Sequence, residues 1–264
     1  MHPANVSTLS QADRTDLRRA KRLLENPGLA ARIANTLGTP IEKLFAALPA
    51  GASQAIQTAT TKSLNAAVRA AVSGMDDTPK TPVDWKHTAA VATTGAVGGA
   101  FGFAALAIEL PISTVIMLRS IADIARSEGH SVKSLEVQLA CVEVFALGGP
   151  SRKDDAVESA YFAARMAMAK AVTEAAQHIA QRGIVADAAP PLVRFITKLG
   201  TRFGIPVTEK VMAQSVPILG AAGGALINVV FIDHFQDLAR GHFIVRRLET
   251  QHGVDAVRAA YLQL

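Results

Sequence analysis

An all-α architecture, one large multi-helix domain around two central Gly/Ala-rich apolar helices, follows from three features of the chain. Apolar residues recur at helical spacing in segment after segment, as in Val157, Tyr161, Ala164, Met168, Ala171, Ala175 and Ile179. No stretch alternates with period two between hairpin turns. Half of the residues are apolar but only 5% are aromatic, so alanine and glycine carry much of the core, and small residues let helices approach closely.

Residues 9–25 place Leu9, Leu17, Leu23 and Leu24 among many charges behind Ser10, a ready N-cap. This charged helix ends at Asn26-Pro27-Gly28 and sets residues 1–27 apart from a helical domain over 28–264. Short helices fill 28–48, punctuated by Gly38, Pro40 and Pro49. A helix over 52–73 carries Ile56, Leu64, Val68 and Val72. The stretch 73–84, with Gly74, Asp76, Asp77, Pro79 and Pro82, reads as a linker. Residues 89–108 hold no charge; Glu109-Leu110-Pro111 interrupts them, and apolar residues resume to Leu118. Arg119, Asp123 and Arg126 then form one helical stripe, which Glu128-Gly129-His130 ends. The next helix covers 132–147 and closes at Gly148-Gly149-Pro150. A long helix over 151–182 opens on Ser151 with Asp154 as a capping box and stops at Gly183. Pro190-Pro191 opens a short helix to about 203, Pro206 opens another, and the last runs from Pro217 to about Thr250.

The glycine run Gly95–Ala100 recurs as Gly220–Ala225, with five of six residues identical at an offset of 125. Two such faces suit a close helix crossing near Gly99 and Gly224. The offset aligns Glu109 with His234; whether the two helices run parallel or antiparallel stays open at this level. Residues 89–108 and 211–232 are long enough to span a bilayer. Both are rich in Gly, Ala and Thr, however, and both run into ionisable residues, which are costly in hydrocarbon. The pattern favours buried helices in a soluble or peripherally bound protein.

Charge and motifs narrow the function. Lys and Arg exceed Asp and Glu by 27 to 22, which suits an anionic surface. The basic cluster Arg18-Arg19-Ala20-Lys21-Arg22 could meet lipid phosphates. Basic and aromatic residues are not interleaved as a nucleic-acid platform needs, so no nucleic-acid partner is expected. Cys141 is the single cysteine, set among Ala, Val and Phe, and reads as a buried thiol in a reducing compartment. The start is polar, without the apolar run of a secretory signal, so a cytoplasmic location is expected.

The polar constellation in FIDHFQDLARGHFIVRRLE allows two chemistries. Asp233 and Asp237 are spaced i, i+4, and His234 and Asp237 i, i+3. With Glu109 or Glu143 from another helix they form a candidate ligand set for a divalent transition metal. Such a site would serve a metal-dependent hydrolase, with Arg119 or Arg246 holding an anionic substrate. Alternatively, the acids and histidines pair with arginines in structural networks, with Arg119, Asp123, His242 and Arg246 as ion-pair or anion partners. HExxH, GxSxG, Walker and GxGxxG motifs are missing.

The phrases ANTLGTPIEKLFAALP, GGAFGFAALAIELPISTVIMLRSIADIARSEG, CVEVFALGG and INVVFIDHFQDLARGHFIVRRLE resemble the EcsC protein family, over about residues 20 to 250. The family takes its name from a protein encoded beside the subunits of an ABC transporter. The resemblance carries over no agreed catalytic residues. It marks Glu109, Pro111, Arg119, Asp123, Glu143, Asp233, His234, Asp237, His242 and Arg246 as positions within its recognisable phrases. The expectation drawn from all of this is a non-enzymatic accessory protein, peripheral at the inner membrane. Its partner would be the membrane surface or a membrane protein complex such as an ABC-transporter-like assembly.

Overall fold

The computed structural model describes residues 9–25, 28–38, 51–74, 84–101, 105–148, 159–183, 189–214 and 220–264. Among them lie ten helices and no strand, as the sequence predicts. They are α1 (Gln11–Leu24), α2 (Leu29–Leu37), α3 (Ala52–Val72), α4 (Asp84–Phe101), α5 (Leu106–Ser127), α6 (Leu135–Leu147), α7 (Ala160–Arg182), α8 (Pro190–Gln214), α9 (Gly220–His252) and α10 (Val254–Gln263). Among these residues no helix is long and apolar enough to cross a membrane.

Local chemistry sets several boundaries. Ser10 caps α1: its hydroxyl accepts the Asp13 N–H at 3.1 Å, and the Asp13 carboxylate accepts the Ser10 N–H at 3.3 Å. α7 starts later than its periodicity suggests, because Ser159 is its N-cap and accepts the Tyr161 N–H; Ser151 and Asp154 lie outside the described residues. The run 89–108 is not one helix. α4 ends at Phe101, and Glu109 belongs to the first turn of α5. Pro111 sits inside α5 and Pro206 inside α8, and neither opens or ends a helix. A proline forfeits one backbone bond, and both helices bury an apolar face around theirs that outweighs the loss. The linker reading of 73–84 falls almost wholly outside the described residues. α9 runs to His252, close to the expected end at about Thr250, and Gly253, at φ +85°, separates it from a tenth helix that the sequence reading did not place.

α9, 33 residues and therefore about 50 Å long, is the axis of the molecule. α4 packs along it more extensively than any other pair of helices pack, and α1, α5, α10, α6, α8 and α2 also touch it. Four polar bridges fix the directions. Asn228 of α9 reaches Val91 O and Thr94 of α4. Thr94 and Glu109 meet near one end of the α4–α5 pair, His87 and Asp123 near the other. Gln236 of α9 bonds Ser120 of α5. α4 therefore runs antiparallel to both α5 and α9. The question left open by the glycine repeat is settled as antiparallel, with the start of α9 beside the end of α4. How the glycine runs themselves touch lies outside the described side chains.

The main core fills the space among α2 to α9, with Phe145, Phe203, Phe231 and Phe235 in mutual contact at ring distances of 4.9–6.2 Å. A second core joins α1, the start of α7, the end of α9 and α10 around Leu17, Tyr161, Leu248 and Tyr261. α1 comes close because position 241 is glycine: a Cβ there would stand 2.6 Å from Leu24 Cγ and 3.0 Å from Ala20 O.

Candidate functional site

Two nearly buried glutamates organise the polar interior. Glu109, 4% exposed, lies in the first turn of α5, where the helix dipole favours a negative charge. Lys210 of α8, wholly buried, donates to both of its carboxylate oxygens at 2.9 Å. Asn228 donates to Oε1 at 2.8 Å. The Lys210 ammonium also stands 4.9 Å from the centre of the Phe231 ring. Burial pushes the Glu109 carboxyl up, but the lysine charge and the bonds from Asn228, Lys210 and Ser113 outweigh it and hold it below its ordinary value. This is a closed, satisfied network.

Glu143 is placed differently. α6 is buried on all sides from Val137 to Ala146, and Glu143 is 5% exposed. It lines a cavity of about 410 Å3 between α6, α7, α9 and α10. Burial raises its carboxyl above the ordinary range, partly countered by the Arg165 and Arg246 charges and reinforced by Glu249. Those arginines already have partners. Arg165 clamps Glu249 with two bonds of 2.7 and 3.0 Å, and Arg246 pairs with Glu136. Arg165 also donates to the Tyr161 oxygen at 3.3 Å, and the Tyr161 hydroxyl shares a hydrogen bond of 3.0 Å with His242 Nδ1. Burial drives the His242 pKa well below its ordinary value, and the Arg165, Arg246 and His130 charges add to the shift.

The five nominated metal ligands do not form one shell. Among the described residues no three His, Cys, Asp or Glu side chains are grouped so as to hold a metal ion. Glu109 is held by Lys210 and Glu143 by the cavity wall. Asp233 is on the exposed side of α9. Asp237 accepts from Arg32 at 2.8 Å and Arg240 at 3.4 Å. His234 is buried against Phe235 and close to Gly148, and burial with the Arg32 charge pushes its pKa down to about 3. Asp233, His234 and Asp237 do share one side of α9 at 3.6 residues per turn, but Glu109 on α5 is held by Lys210 and Glu143 on α6 lines a separate cavity, so no shell closes around them. Of the nominated ion-pair residues, Asp123 bonds His87 at 2.8 Å and pairs with Arg126, while Arg119 is exposed. Burial pushes the Cys141 thiol up to about 12, which suits the inert reading.

Lys210, Asn228, Arg165 and Glu249 escaped the sequence reading. The signal was present for Lys210: Phe203, Val207, Lys210 and Val211 lie on one stripe of α8, and a lysine on a core stripe calls for a buried acid. Arg165 likewise follows Tyr161 by one turn, beside the apolar stripe of α7.

No curated protein and no solved structure matches the chain. A family model does, over residues 11–248, a span that contains the buried Glu109 network and Glu143. The chain belongs to the EcsC protein family.

Proposed function

We propose that this protein is a non-enzymatic helical accessory protein of an anionic membrane surface, docked at the cytoplasmic face through the outer side of α1. The observation that carries this reading is the sorting of charge on that helix. Both of its acids turn inward to α9: Asp16 takes Arg247 at 2.7 Å and Asp13 takes His252 at 3.0 Å. Arg14, Arg18, Arg19 and Arg22 are exposed, and none has a carboxylate partner among the described residues. The opposite face, Leu17 and Ala20, is fixed in the second core. The result is a strip of arginines on the outer side of α1 that outnumbers the one acid beside it among the described residues of that helix, Glu25 at its C-cap.

Each basic residue near an anionic bilayer contributes about 1 kcal/mol. Replacing Arg18, Arg19 and Arg22 with Glu therefore lowers partitioning onto phosphatidylserine vesicles by on the order of a hundredfold. Co-sedimentation at low and high salt, with neutral phosphatidylcholine vesicles as control, checks it. Binding that ignores both lipid charge and salt would defeat the proposal. Recovery in a membrane protein complex that survives the triple substitution would move the docking site elsewhere.

A further inference from the structure

We propose that the cavity beside Glu143 binds a small organic cation, a primary ammonium or guanidinium on a short apolar stem. The cavity, about 410 Å3, falls in the size range of small-ligand sites. Its polar floor holds one group without a hydrogen-bond or ion-pair partner among the described residues, the Glu143 carboxylate. A buried carboxylate without donors is costly, so an occupant that supplies donors gains more here than elsewhere on the wall.

The surrounding charges select the class. The three arginines of the wall are engaged: Arg165 with Glu249, Arg246 with Glu136, and Arg258 over the Phe162 ring. An anion would have to displace one of those carboxylates and would then face Glu143. A purely apolar ligand would leave the carboxylate unsatisfied. A cation meets it with charge-assisted bonds, and the apolar side of the cavity, with Phe162 and Met166, takes the stem. Both are on α7, so α6 supplies the acceptor for the head and α7 the wall for the stem.

Three probes share one stem and differ only in the head: n-butylammonium, n-butanol and n-butyrate. Each is titrated into full-length protein labelled with 13C-methyl methionine, with the Met166 signal assigned from Met166→Leu. Butylammonium is expected to shift Met166 in the millimolar range, about tenfold more tightly than butanol, and butyrate not at all. Glu143→Gln, nearly isosteric, should remove the head-group preference. Ala169→Phe, at an exposed position on the cavity rim, should abolish binding without touching Glu143. The proposal is overturned if butyrate binds as well as butylammonium or if Met166 responds to none of the three. It is equally overturned if the ammonium preference survives Glu143→Gln, or if full binding survives Ala169→Phe.

Discussion

Glu109 and Glu143 lie on consecutive helices, are almost equally buried, and are shifted in opposite directions. Both have cations nearby. The difference is one of ownership: among the described residues Lys210 pairs with Glu109 alone, whereas Arg165 and Arg246 are bound to Glu249 and Glu136. Burial alone does not decide whether an interior carboxyl is charged. What decides is whether a donor is left over for it. The first arrangement locks α5, α8 and α9 together; the second leaves an acceptor at a cavity wall.

The comparison breaks most severely if Glu109 is made to resemble Glu143. Lys210→Met strands a buried carboxylate and is expected to cost about 3–5 kcal/mol. The double variant Glu109→Gln/Lys210→Met should recover most of that loss, and urea unfolding of the three variants reads both effects. The buried histidines extend the same argument to cations. His234 and His242 are neutral when folded and ordinary, near 6.5, when unfolded. Their pKa values are depressed in the native state, so neither changes stability above pH 6.5. Below it the unfolded chain takes up protons that the native chain refuses. Stability then falls by about 1.4 kcal/mol per histidine per pH unit, measurable as the urea midpoint between pH 7 and 5. A packing change remote from both carboxyls calibrates the scale. Gly241→Ala forces a Cβ onto Leu24 and should cost about 1–3 kcal/mol, with α1 amides losing exchange protection first. The smallest effect has the opposite sign. Glu143→Gln removes a charge that the fold disfavours and should stabilise the protein by about 1 kcal/mol or less at pH 7, seen as a rise in Tm.

Much of the fold was legible because it rests on local rules. Ser10 as an N-cap announced α1, Gly183 ended α7, and the i+3/i+4 stripes gave most helices. Proline was overread at 111 and 206, since tertiary packing sustains a helix through a lost bond. The candidate site was legible only by half. Glu109, Glu143, His242 and Arg246 stood out as ionisable residues in apolar runs. Their grouping did not, because partners such as Lys210 and Asn228 lie more than 100 residues away. Spacing along one helix says which side chains share a face. It does not say which helix that face meets, and so Asp233, His234 and Asp237 looked like part of one metal shell when His234 is buried against Phe235 and Asp237 pairs with Arg32 of α2.

The most direct test is a 13C NMR titration of the glutamate side-chain carboxyls, with Glu109 and Glu143 assigned from their Gln variants. The account predicts that Glu109 titrates below the ordinary carboxylate value and Glu143 above it, and that butylammonium brings Glu143 down while leaving Glu109 in place. Both carboxyls shifted to the same side, or a Glu143 already ionised across the carboxylate range, would contradict it.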